Sequence, residues 1–355
     1  SLITSVMQSV SNQPIKTFTI GFNESEYDES HFAREISKHL GTDHNELIVT
    51  PKESMDVIPL LPEIYDEPFS DSSQIPTFLV SKLAKTQVTV SLSGDGGDEL
   101  FGGYNRYLYT KKFWNKISAI PFSARKLIAI IIKNLPINSL RGASLKAGIS
   151  SNIFEKIYKA TKRLDYVKDI DDLYLSLVTD SFLSEDFIVN HKILPSILPS
   201  HFPSKNHMNE LGLNSSFNRM MYLDQQTYLT DDILCKVDRA AMSNSLETRA
   251  PFLDHRIAEF SWQIPNEFKI KNNQTKFLLR ETLRDYIPVS MIDRPKTGFG
   301  IPIGEWLKGP LFEWGESLIT KEKISDKGYL NYDEVNKCWQ EHQSGQFNWS
   351  SRLWT

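Results

Sequence analysis

The sequence predicts an α/β fold: a parallel sheet with flanking helices over residues 1–110, followed by a mainly helical half over residues 111–355. Three observations carry this expectation. Strand-like and helix-like segments alternate through the first hundred residues, which is the pattern of βαβ units. An apolar strand then runs directly into a loop of glycines and acids at residues 93–103. Beyond about residue 105 the strand signals fade and helical periodicity dominates, with breaks at Pro121, Pro136, Pro195, Pro199 and Pro203.

The elements follow in order. Residues 15–20 form a strand that stops at Gly21. Residues 28–40 place Phe32, Ile36 and Leu40 four apart, with Arg34, Glu35 and Lys38 between them. That spacing predicts an amphipathic helix, and Gly41 ends it. A short strand at 46–49 leads into a Pro-punctuated stretch, where Asp66 and Asp71 flank the Glu67-Pro68 break. A helix over about 77–85 and a buried strand over 87–92 complete the series.

Composition narrows the function classes. The chain has 355 residues, 40% hydrophobic and 24% charged, with a formal net charge of −4. This balance gives no bulk positive charge to hold nucleic acid or an anionic membrane. The longest apolar run in the basic stretch, residues 127–132, is far short of the ~20 residues of a membrane helix. Cys235 and Cys338 stand alone, without metal-ligand spacing, as expected in a reducing cytoplasm. His31, His39 and His44 lack the i, i+4 spacing of a helical metal site. Between Lys111 and Arg163 the only acid is Glu155, which suits either a docking face or a solvated helical surface.

The loop Ser93-Gly94-Asp95-Gly96-Gly97-Asp98-Glu99 carries the chemistry. Glycines let a backbone turn with positive φ and approach a ligand closely. A strand, such a loop and a following helix are the setting in which phosphates and nucleotides bind. Acids inside the loop suit Mg²⁺-nucleotide, because Mg²⁺ takes oxygen ligands and keeps positions for phosphate oxygens.

The run SLSGDGGDELFGGYNRY at residues 91–107 resembles the nucleotide-and-substrate motif of the asparagine synthetase family. Further parts agree in chain order. They are residues 18–22 with the acidic turn after them, His39-Leu40-Gly41-Thr42, Glu247-Thr248-Arg249-Ala250-Pro251-Phe252-Leu253-Asp254, and Arg294-Pro295-Lys296-Thr297-Gly298-Phe299. The resemblance covers most of 15–110 and 220–310. It implies an N-type ATP pyrophosphatase (HUP-like) fold and a ligase that uses ATP and Mg²⁺ to turn aspartate into asparagine. The ammonia would come from glutamine through a glutaminase domain. A homodimer is compatible with it. A relative acting on another carboxylate, or a non-catalytic binding module, remains an alternative.

The resemblance also implies roles. Ile20, Gly21, Ser93 and Gly94 fall on ATP-contacting positions. Asp95 falls on the base or substrate-orienting acid, commonly Glu in the family, and reaches about one methylene less far. Asp98 falls on the Mg²⁺ ligand. Lys296 falls on the lysine over the reacting phosphate, where an ammonium neutralises charge on departing pyrophosphate. Gly96, Glu247 and Arg249 are expected at the substrate, Arg249 as a carboxylate clamp. Glu247 and Arg249 also suit an ion pair that orients their loop. Glu99 suits a helix cap. Asp231, Asp232, Lys236, Asp238 and Arg239 read as supporting residues or plain salt bridges.

The family's pyrophosphate loop, Ser-Gly-Gly-x-Asp-Ser, leads into a helix start like Ser1-Leu2-Ile3. Residues 1–110 are therefore expected to be the nucleotide-binding part without its first strand and that loop. The glutaminase domain is expected to lie outside this chain, and residues 1–355 alone are expected to have little synthetase activity.

Overall fold

The computed structural model describes residues 1–24, 28–134, 154, 160–161, 163–178, 187, 203–293 and 300–355. These fall into two compact units. The first joins residues 1–103 with 221–319 and 348–355, and the second joins 104–220 with 320–347. The chain therefore leaves the first unit and returns to it, whereas the sequence reading draws one boundary after residue 110. A composition shift marks where helices begin. It carries no information on which helices pack back against the first hundred residues.

In the first unit, helix α1 (Leu2–Val10) leads to strand β1 (Lys16–Phe22), helix α2 (Ser30–Leu40) and strand β2 (Asp43–Val49). β1 and β2 pair in parallel from Lys16 opposite Asp43 to Phe22 opposite Val49, completing one βαβ unit. Gly41 ends α2 in the left-handed conformation at φ 71°, and the Thr42 amide turns back to the Ser37 carbonyl at 3.1 Å. Of the predicted apolar face of α2, Ile36 is buried against Leu283, Ile287 and Ile292, with Leu2 and Leu40 bordering them, while Phe32 and Leu40 are half-buried.

Helix α3 (Gln74–Lys85) leads to strand β3 (Val90–Leu92), which pairs in parallel with strand β4 (Glu247–Arg249). β3 is shorter than the expected 87–92. The amides of Gln87 and Val88 bond to the Ala84 carbonyl at 3.0 and 2.9 Å, so they finish the turn of α3 instead of starting a ladder. β4 lies in the half read as mainly helical, where three residues leave no periodicity to detect. The described fold is mostly helical with two small parallel sheets, in place of the single larger sheet the sequence suggests. Helix α4 (Gly97–Phe101) follows β3, and helix α5 (Cys235–Met242) precedes β4. Ala84 of α3, Ala241 of α5 and Leu246 form a core cluster against which Phe18 of β1 and Val88 pack.

The second unit is built on helices Asn105–Ile117, Phe122–Asn134 and Ile170–Val178. Ile117, Ala129, Leu164, Val167 and Leu173 form its core. Arg125 is buried there and donates to the Val167 carbonyl at 2.8 Å, with its guanidinium 5.3 Å from the Trp114 ring. Much of the basic stretch between Lys111 and Arg163 lies outside the described residues. No described helix is long and apolar enough to cross a membrane.

Candidate functional site

The first unit brings the strand-end loop and the β4 turn onto one groove of about 500 Å³. Ser93 and Asp95 line it from the loop, and Thr248, Arg249, Ala250, Pro251, Leu253 and Asp254 from the turn. Leu234, Val237 and Asp238 complete it, two of them from α5. Parallel pairing is what assembles these residues. β3 and β4 end side by side, so both loops leave the sheet at the same edge, where ligands of parallel sheets bind. The Ser93 amide donates to the Arg249 carbonyl at 2.9 Å and fastens one loop to the other.

Two glycines in the loop are demanded by geometry. Gly96 has φ 84°, and a Cβ there would run into the Leu253 side chain. Gly103 lies where the Asp98 carboxylate and the Lys276 side chain pass, so a Cβ would collide with both. Helix α4 starts between them and is anchored by Leu100 and Phe101, which pack on Phe252 and Ile264. The Phe101 and Phe252 rings meet edge to face at 5.9 Å.

The charged side chains divide into free and paired groups. Asp95 has no hydrogen bond or ion pair among the described residues, so its carboxylate is available in the groove. Arg249 Nε donates to Glu247 Oε1 at 2.5 Å, the loop-orienting pair that the spacing suggests, and both side chains are largely solvent-exposed. Asp254 caps helix α6 (His255–Gln263) through the Arg256 amide, and the Arg256 side chain and amide hold its carboxyl well below the usual range.

Asp98 is not free. Its Oδ2 accepts from Lys276 Nζ at 2.8 Å, with the two side chains 23% and 28% exposed. Lys276 precedes helix α8 (Phe277–Leu283), which is preceded in turn by helix α7 (Asn266–Lys269), and it holds φ 52°. A lysine in the left-handed region is strained by roughly 1–2 kcal/mol, and such strain gathers at functional positions. Asp98 suits a Mg²⁺ shared with nucleotide phosphates, since Mg²⁺ commonly takes one or two protein carboxylates and fills the rest with phosphate and water. Among the described residues no group of three or more His, Cys, Asp or Glu could cage a metal alone.

The remaining expected residues are placed as follows. Ile20 and Gly21 are buried in β1, in the other sheet, and do not line the groove. Gly94 is exposed in the loop and Gly96 is the residue before α4. Lys296 lies outside the described residues.

Sequence reasoning missed Lys276, whose only sequence signal is the preceding Asn272-Asn273 pair, both with positive φ in the structure. It also left open what Asp71, Asp232 and Lys236 do. Lys236 is buried against Asp71 and also reaches Asp232 at 3.4 Å. Asp232 lies on a π-helical turn, Tyr228–Leu234. Burial first, and then the charge of Asp71, push the Asp232 carboxyl up to about 7. Burial also opposes charge on Asp71, but the Lys236 ammonium and the hydrogen bond from the Ser73 amide outweigh it and keep Asp71 below its ordinary value.

The asparagine synthase family model matches residues 1–355. Asparagine synthetase (glutamine-hydrolyzing) 1 of Bacillus subtilis (strain 168) is 31% identical over 366 residues, covering 100% of this chain and 52% of its own length. A putative asparagine synthetase (glutamine-hydrolyzing) of Mycobacterium tuberculosis (strain ATCC 25618 / H37Rv) is 30% identical over 353 residues, covering 97% of this chain and 50% of its own. Amidase chyE of Penicillium rubens (strain ATCC 28089 / DSM 1075 / NRRL 1951 / Wisconsin 54-1255) is 24% identical over 344 residues, covering 91% of this chain and 49% of its own. The chain spans about half the length of the curated relatives it matches. With the family model matched from end to end and the glycine-acid loop seated beside the β4 turn, the chain belongs to the asparagine synthase family.

Proposed function

We propose that the protein carrying this chain forms asparagine from aspartate by ATP-dependent adenylation. A side-chain carboxylate oxygen of aspartate attacks the α-phosphorus of ATP, the bond to pyrophosphate breaks, and β-aspartyl-AMP remains. Ammonia then attacks the acyl carbon, the bond to AMP breaks, and a proton is lost from nitrogen. The ammonia is released from glutamine by a glutaminase domain. The observation that carries this reading is one groove lined by Asp95, whose carboxylate has no partner among the described residues, and by Arg249, at the ends of two parallel strands.

In this reading Ile20, Gly21, Ser93 and Gly94 contact the nucleotide. Gly96, Glu247 and Arg249 receive the amino-acid substrate, and Asp95 orients it and accepts a proton. Asp98 holds Mg²⁺, which supplies neutralisation of phosphate charge when bound. Lys276, beside Asp98, and Lys296 add fixed positive charge for the departing pyrophosphate. A cytoplasmic setting supplies the nucleotide.

The fold reading is an N-type ATP pyrophosphatase sheet that takes up one more strand. Among the described residues β1 and β3 each pair on one edge, and Phe18 and Val88 pack on one cluster. A shallow groove of about 420 Å³ runs along Lys85, Gln87, Val88, Thr89 and Val90, and Val90 and Leu92 are 47% and 43% exposed. A parallel strand from outside residues 1–355, leading into a pyrophosphate-binding loop, suits these edges.

A second reading keeps adenylation and changes the carboxylate. It is favoured by the relative named amidase chyE, which covers 91% of this chain. ATP–pyrophosphate exchange in the intact protein, measured across a panel of acids, separates the readings. Exchange that depends on aspartate is the expected result. Exchange with another acid and none with aspartate overturns the asparagine assignment, and no exchange with any acid overturns adenylation.

A further inference from the structure

Helix α4 is five residues long, so its last carbonyls have no partner within the helix. The Gly103 amide takes the Asp98 carbonyl at 2.8 Å. The Glu99 carbonyl accepts from Gln225 Nε2 at 2.9 Å, and Glu99 is only 2% exposed, so water does not readily replace that bond. Gln225, on the helix Ser216–Gln226, lies 126 residues away in sequence.

An amide side chain can present oxygen or nitrogen, and here its orientation is dictated. Trp262 Nε1, which can only donate, gives its hydrogen to Gln225 Oε1 at 3.1 Å. The Gln225 NH₂ must then face the Glu99 carbonyl. The indole itself has two further contacts. The Tyr222 ring meets it at a 69° tilt with centroids 6.4 Å apart, and Lys269 Nζ lies 5.4 Å from the Trp262 ring. Lys269 is 1% exposed and makes no hydrogen bond among the described residues, and burial lowers its ammonium to about 8. It remains mostly protonated at neutral pH, as a cation over the ring.

Lys269 closes α7, and the chain reaches Lys276 seven residues later. Both members of the Asp98–Lys276 pair therefore lead back to the Trp262 platform. Asp98 does so through Glu99 and Gln225, and Lys276 does so along the chain from Lys269.

We propose that Gln225 is a positioning residue: oriented by the Trp262 indole, its amide holds the Glu99 carbonyl and so fixes α4 and the Asp98 carboxylate that α4 carries. The effect on activity rests on the adenylation reading. The holding of α4 does not.

Two measurements on the intact protein keep these apart. Amide hydrogen exchange of residues 97–101 reports holding alone. In Gln225→Met, which keeps length and removes both bonds, exchange there is expected to quicken about tenfold while distant helices keep wild-type rates. Unchanged exchange in α4, or a uniform loss across the molecule, overturns the proposal.

ATP–pyrophosphate exchange titrated with Mg²⁺ at fixed ATP reports the consequence. Gln225→Met and Gln225→Glu are expected to raise the half-saturating Mg²⁺ about five- to tenfold, with a smaller change in maximal rate. The glutamate variant is the sharper test, because its carboxylate repels the Glu99 carbonyl while its protonated form donates to it. Its defect is expected to shrink as pH falls toward 5, and that of Gln225→Met to stay constant. Wild-type half-saturation in both variants, or a glutamate defect that ignores pH, overturns the positioning role. Absence of exchange in the wild type defeats the adenylation reading and leaves the hydrogen-exchange result to decide the rest.

Discussion

Two lysine–carboxylate contacts in the same unit join residues far apart in the chain, yet they are built for different ends. Asp98 and Lys276 meet at 2.8 Å, and each keeps about a quarter of its side chain in solvent. Lys236 is buried between two acids, Asp71 and Asp232, so one lysine faces two carboxylates. The first pair stands on the strained residue before α8 and on the short helix after the glycine loop. The second ties α5 to the loop before α3. An ion pair by itself therefore says little about function. Exposure, backbone strain and the neighbouring loop separate a pair that a ligand can rearrange from one that holds helices together.

The strongest way to break this comparison is to remove the acid of the exposed pair. Asp98→Asn keeps the shape and removes the charge. It is expected to lower ATP–pyrophosphate exchange at least ~100-fold, the scale of losing one fixed electrostatic contact at a reacting phosphate. The unfolding midpoint is expected to move little, because a partly exposed pair contributes only about 0–1 kcal/mol. Steady-state exchange and thermal unfolding of the same sample check both halves. A large fall in midpoint with modest loss of rate would make this pair structural.

The buried cluster is expected to respond in the opposite sense. Lys236→Met leaves Asp71 and Asp232 facing each other without a counter-charge. A fully buried pair broken from one side costs about 3–5 kcal/mol, and the 30% exposure of Asp232 reduces this to roughly 2–4 kcal/mol. Denaturant unfolding measures the loss. The properly folded fraction should retain exchange within about threefold of wild type, since Lys236 does not line the groove.

The two clusters were unequally legible in the sequence. The glycine loop could be read because Gly96 and Gly103 mark places where a Cβ does not fit, and such constraints act over a few adjacent residues. The Glu247–Arg249 pair could be read because both partners lie on one short strand. Lys276 could not, because it meets Asp98 across 178 residues and through a left-handed backbone that lysine rarely adopts. β4 escaped for a related reason: its strand character comes from pairing with β3, not from its own three residues. The return of residues 221–319 to the first unit is set by packing such as that of Leu278 and Leu279 around α4, and no local pattern announces it.

The smallest expected effect lies in the pH dependence of the buried cluster. Asp232 titrates near an ordinary carboxylate value of about 3.9 when unfolded, and is pushed up to about 7 when folded. Between these values the folded state binds more protons than the unfolded state, so this group's contribution to stability falls as pH rises from about 4 to 7 and stays level above. Asp71 is shifted downward, and its contribution is lost only as pH falls below the ordinary carboxylate range. The charged neighbours of Asp232 are Asp71 and Lys236, with Tyr65 beside them; Asp71 is shifted down and burial raises Tyr65, so neither changes charge in the middle of the window. Asp232→Asn keeps the Lys236–Asp71 pair and removes that titration. Unfolding midpoints taken from pH 4.5 to 8 are expected to flatten in the variant and to lie a few degrees above wild type at pH 8. A variant midpoint below wild type at pH 8 would show that the Asp232 carboxylate supports Lys236 more than it repels Asp71, and the cluster would then be a balanced triad.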